Sequence, residues 1–74
     1  MADEYVDYSD LEAVKLQRAI LSLPTKQQLA FNLRYYNDLG YDEIAAIIGS
    51  TADGVKSSYH IAKDKIVKYM NANN

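Results

Sequence analysis

Cysteine is absent from this 74-residue chain. No disulfide framework and no Cys-based zinc or redox centre is therefore available to it. Histidine occurs once, as His60, which excludes a multi-histidine metal or catalytic site. No Gly-rich phosphate loop is present and no set of side chains has assignable catalytic roles, so the chain is expected not to be an enzyme and to need no cofactor. No run approaches the roughly 20 apolar residues that span a bilayer. The opening Met1-Ala2-Asp3-Glu4-Tyr5 has neither the basic stretch nor the apolar run of a secretory signal. Together these absences predict a cytoplasmic protein with no membrane partner. Breakers are scarce as well: one proline (Pro24) and three glycines (Gly40, Gly49, Gly54). So few interruptions among so many helix formers predict an all-α fold. A chain of this length buries only a modest core.

The charge is unevenly placed. The formal net charge is −2, which taken alone argues against a nucleic-acid partner. Five of the acids, Asp3, Glu4, Asp7, Asp10 and Glu12, stand in residues 1–12, where there is no base. Residues 13–74 hold eight bases against five acids, a net of +3. The body of the chain is thus mildly basic, and it is the part that can face a phosphate backbone. Residues 1–8 are expected to be an acidic leader or linker. A solvated leader accounts for them, and mimicry of DNA that shields a basic helix is the alternative.

Helix signals divide the rest. Ser9-Asp10-Leu11-Glu12 has the form of a capping box, opening a first helix that reaches about Leu21. Leu23-Pro24 ends this element, because the residue before proline is biased away from helix. Thr25 with Gln28 is a second capping-box candidate, for a helix to about Asn37. Within it Leu29, Phe31, Leu33 and Tyr35 alternate with Ala30, Asn32 and Arg34, which is also a strand pattern. A lone strand would have nothing to pair with, so a helix touched on several sides is expected. Asn37-Asp38-Leu39-Gly40 reads as a turn. Residues 41–48 form a short helix with Asp42 and Glu43 in its first turn, where the macrodipole favours acids. Gly49 stands where a left-handed residue ends a helix, and Thr51 is placed to cap the next one. The last helix, about 52–70, carries Val55, Tyr59, Ala62, Ile66 and Tyr69 as an apolar stripe. The tail, residues 71–74, is expected to fray.

Two helices joined through Gly49-Ser50-Thr51 make a helix-turn-helix. Ala45 falls where the helices cross, and Ile44, Ile48 and Val55 fill the wedge between them. The expected architecture is a four-helix domain over residues 9–70 with a C-terminal helix-turn-helix. It is of the winged-helix-like DNA-binding kind but has no wing. In such a unit the second helix lies in the major groove. Lys56, Ser57, His60 and Lys63 lie opposite or beside the apolar stripe. Lysine and histidine can contact phosphate or guanine acceptors, and serine can bond to either. For each lysine, simple solvation of an exposed face is an equal alternative, and His60 can be an exposed polar residue with no partner.

Leu23-Pro24, Asp42-Glu43-Ile44-Ala45, Gly49, Val55-Lys56-Ser57 and Ala62-Lys63-Asp64-Lys65-Ile66 together resemble region 4 of bacterial extracytoplasmic-function sigma factors. The resemblance covers about residues 14–70. Phe31-Asn32-Leu33-Arg34-Tyr35-Tyr36 and Lys56-Ser57-Ser58-Tyr59-His60 resemble one branch of that family. The resemblance implies recognition of the −35 promoter element in double-stranded DNA, with the domain docked on the β-subunit flap of RNA polymerase, and an anti-sigma factor as a further partner. It implies DNA contacts at Gln28, Thr51, Lys56, Ser57, Ser58, His60 and Lys63. No segment resembles region 2, so an isolated domain or a piece cut from a longer factor is expected.

Phe31, Tyr35 and Tyr36 are either core or a docking patch for the flap or an anti-sigma factor. Two other readings stay open. The effector domain of a response regulator has a similar four-helix layout, but it usually has histidine where this chain has Ser58. A protein-interaction module with little DNA readout is the second. It is motivated by Gln28, Ser58 and Ile61, where the family often has arginine, and by the net acidity.

Overall fold

The computed structural model describes residues 8–72, with side chains from residue 12 onward. Four helices follow one another: α1 (Tyr8–Leu21), α2 (Thr25–Tyr35), α3 (Tyr41–Ile48) and α4 (Ala52–Ala72). Among the described residues there is no strand, so the alternating pattern of 29–35 resolves as helix. The acids of the leader at residues 3, 4 and 7 lie outside the described residues.

Helix boundaries depart from expectation at four places. α1 is already helical at Tyr8, the first described residue, so Ser9 falls inside the helix and not at its cap. α2 ends at Tyr35, two residues before its expected end. α2 begins at Thr25 with Pro24 as its cap residue and no side-chain cap. Thr25 and Gln28 therefore form no capping box. The Gln28 amide instead turns back, donating to the carbonyls of Leu23 at 2.8 Å and Leu21 at 3.3 Å. It satisfies carbonyls that the end of α1 leaves without helical partners. α4 continues through Ala72, two residues past its expected end.

Two apolar clusters hold the helices together. The first joins α1, α2 and α4 through Ala19, Ile20, Leu23, Phe31, Ala62 and Ile66, all buried. The second joins α2, α3 and α4 through Ala30, Ile44, Ala45 and Val55. α2 serves both, giving Phe31 to one and Ala30 to the other, which is why its apolar residues spread around the helix. The apolar stripe of α4 is realised: Val55, Ala62 and Ile66 are buried, and Tyr59 and Tyr69 are half-buried. The middle of α1 is also tied to the C-terminal turn of α4, where the Lys15 ammonium donates to the Met70 carbonyl at 2.7 Å. A cation there meets the negative end of the α4 dipole.

Between α2 and α3 the chain turns through Asp38, which has φ +55°. Aspartate is among the few residues that tolerate this left-handed region. Arg34 holds the turn from inside, donating to the Leu39 carbonyl at 3.0 Å and lying 4.9 Å from the centre of the Tyr41 ring.

Candidate nucleic-acid interface

The helix-turn-helix is built from small residues and tight backbone bonds. α3 spans residues 41–48 as expected, and the Glu43 carboxylate accepts from the Gly40 amide at 2.9 Å. Glycine offers no side chain in return, so only half of a capping box exists. Gly49 closes α3 in the left-handed region, φ 70° and ψ 46°. The next amide, of Ser50, donates to the Ala45 carbonyl at 2.9 Å. The Thr51 hydroxyl then accepts from the Gly54 amide at 3.0 Å, so Thr51 caps α4 as expected.

Gly54 has a steric reason to lack a side chain. A Cβ there would lie 3.0 Å from both the Ser50 and the Thr51 hydroxyl oxygens. The wedge below is dry: Ile44 and Val55 are wholly buried and Ala45 is 7% exposed. A larger residue at 45 would push α3 and α4 apart.

This frame turns one side of α4 outward. With about 100° per residue, Asp53, Ser57, His60 and Asp64 lie within about 40° of the direction opposite Val55. All four are exposed. Lys56 and Lys63, also exposed, lie on one flank, about 80–100° round from Val55. Lys56, Ser57, His60 and Lys63 thus share one accessible surface, beginning at the Thr51 cap. Ser58 is half-buried and falls on the other side, nearer the packed stripe. Gln28 is half-buried on α2 with its amide nitrogen engaged by the α1–α2 turn, which removes its donor from the outward set.

Sequence reasoning passed over the acids Asp53 and Asp64. Their spacing from Ser57, four residues before and seven after, carried the signal. They break the positive potential of the outer face into a lysine flank and a mixed centre.

The aromatic residues also divide. Phe31 is 4% exposed, so it is core and not a docking residue. Its ring stacks on Tyr35 at 5.0 Å and on Tyr59 at 5.8 Å. Tyr35 and Tyr36 are 56% and 51% exposed and meet edge to face at 5.0 Å. Leu29 is exposed on the same helix.

A tight glycine turn, a small-residue crossing and an outward second helix with lysine, serine and histidine define a helix-turn-helix DNA-binding domain. The chain matches the family model for sigma-70 region 4 over residues 13–66, and it belongs to that family. Its function is accordingly recognition of the promoter −35 element as part of an RNA polymerase sigma factor, in transcription initiation, with promoter DNA and RNA polymerase as partners. The match does not favour the response-regulator or docking-only readings. No curated protein and no solved structure matches the chain. No helix of the described residues is long and apolar enough to cross a membrane.

Proposed function

We propose that the chain is region 4 of an extracytoplasmic-function sigma factor, and that it reads DNA with the outer face of α4. The observation carrying this reading is the joint exposure of Lys56, Ser57, His60 and Lys63 on the helix that follows the Gly49 turn. Lys56 and Lys63 neutralise phosphates and set the register. Ser57 and His60 approach base edges. Thr51 brings the positive end of α4 toward a backbone phosphate. Ser58 plays a lesser part from the flank, and Gln28 is left out because its donor serves the α1–α2 turn. The role requires no bond-making chemistry.

Tyr35 and Tyr36, with Leu29 exposed on the same helix, form the surface for the β-subunit flap, and an anti-sigma factor would compete for it. Aromatic rings exposed on a helix supply large contact area at low conformational cost.

Salt dependence of duplex binding tests the reading. Two phosphate contacts give a slope of log affinity against log salt of about −1.8, and removing either lysine shallows it by about 0.9. Fluorescence anisotropy with Lys56→Ala and Lys63→Ala measures both quantities. Binding that ignores salt, or a slope unchanged in both variants, contradicts the proposed contacts.

A further inference from the structure

His60 carries the only imidazole of the chain, and its side chain is exposed. An exposed side chain on a helix ordinarily samples several rotamers, and binding must then freeze one of them. The His60 ring has a neighbour that can limit this freedom: it meets the Tyr59 ring edge to face, with centroids 5.8 Å apart and planes at 65°. Tyr59 is itself held on two sides. It stacks on Phe31 at 5.8 Å and lies tilted against Tyr41 at 6.3 Å. Among the described residues it is also the one half-buried residue packed against both apolar clusters. The Tyr59 ring is thus anchored by α2, α3 and its own helix, and the imidazole lies against that anchored ring.

We propose that Tyr59 is a positioning residue for base recognition. Resting on the reading that His60 approaches a base edge, it fixes the imidazole plane before DNA arrives. Edge-to-face contact favours one ring orientation because the positive edge of one ring meets the negative face of the other. Tyr59 need not touch DNA to do this. Its hydroxyl is dispensable, and its ring is not.

The test is a double-mutant cycle on the 74-residue chain. Duplexes selected from a randomised pool by the unaltered chain are varied one base pair at a time. Affinities are measured for the unaltered chain, Tyr59→Phe, Tyr59→Leu, His60→Ala and the Tyr59→Leu, His60→Ala pair. The expected result is that His60→Ala flattens the preference at one base pair. Tyr59→Leu flattens the same preference by about fivefold, the size of one edge-to-face contact. It adds nothing in the His60→Ala background, and it leaves the salt slope unchanged. Tyr59→Phe keeps the preference.

A Tyr59→Leu variant that weakens every duplex alike, or that costs as much without His60 as with it, overturns the proposal. His60→Ala with every preference intact overturns the His60 reading itself, and the positioning role with it. Should Tyr59→Leu fail to fold, ring-to-ring nuclear Overhauser effects in the unaltered chain decide the matter. A single His60 rotamer against Tyr59 supports the proposal, and rotamer averaging overturns it.

Discussion

The two apolar clusters are made differently, and the difference separates stability from geometry. The α1–α2–α4 cluster is built from larger side chains, Ile20, Leu23, Phe31 and Ile66, with Tyr69 and Met70 packed along its edge. The α2–α3–α4 cluster has only Ala30, Ile44, Ala45 and Val55 at its centre. The first buries bulk and joins elements far apart in sequence. The second lets helices approach closely and thereby fixes the angle at which α4 is presented. Damage to the first should be felt as lost folding free energy. Damage to the second should be felt as lost DNA affinity out of proportion to lost stability.

The largest effect is expected at Phe31→Ala. It removes a buried ring and two aromatic stacks, and should cost about 3–5 kcal/mol in chemical denaturation. Folded protein of this variant, measured at low temperature, should still bind duplex DNA with its salt slope intact. A slope lost together with stability would erase the distinction between the clusters.

Ala45→Leu comes next. Overpacking of the crossing should cost about 1–3 kcal/mol, yet weaken DNA binding even where circular dichroism shows full helicity. Equal DNA binding in the folded variant would mean that the crossing does not set the angle of α4.

Gly49→Ala forces a Cβ into the left-handed region and should cost about 1–2 kcal/mol, read as a lowered melting temperature. Space is not the issue, since nothing lies within 4 Å of the added Cβ.

The smallest effect is expected at Gly54→Ala. Helix propensity alone predicts stabilisation of about 1 kcal/mol. Crowding against the Ser50 and Thr51 oxygens at 3.0 Å should cancel most of it. A full gain would show that the turn yields easily and that Gly54 has no steric role.

These expectations also show which parts of the molecule its sequence makes legible. α3, the Gly49 turn, the Thr51 cap and the stripe of α4 follow from local rules, because each depends on neighbours within about one or two turns. The outward set Lys56, Ser57, His60 and Lys63 follows from that stripe by helical periodicity alone.

What escaped sequence reasoning depends on partners brought close by folding. Gln28 has a helix-capping pattern in sequence, but the carbonyls of Leu21 and Leu23 arrive within its reach only after the α1–α2 turn closes. The Lys15 bond to the Met70 carbonyl spans 55 residues and leaves no local trace. Sequence leaves Phe31 open between core and docking surface, and only folding brings the Tyr59 ring of α4 onto it. Helix propensity alone counts Gly54 as a loss, and its crowding by Ser50 and Thr51 appears only in three dimensions.

In the function proposed above, the outer face of α4 meets promoter DNA while the end of α2 meets protein. An amide-resolved NMR titration of the chain with short duplex DNA, at low and moderate salt, tests it most directly. The expected result is shifts clustered from Thr51 to Lys63 that weaken as salt rises, with the amides of Tyr35 and Tyr36 unmoved. Silent α4 amides with every duplex tried, alongside shifts at Tyr35 and Tyr36 on adding a polymerase-flap peptide, would contradict it.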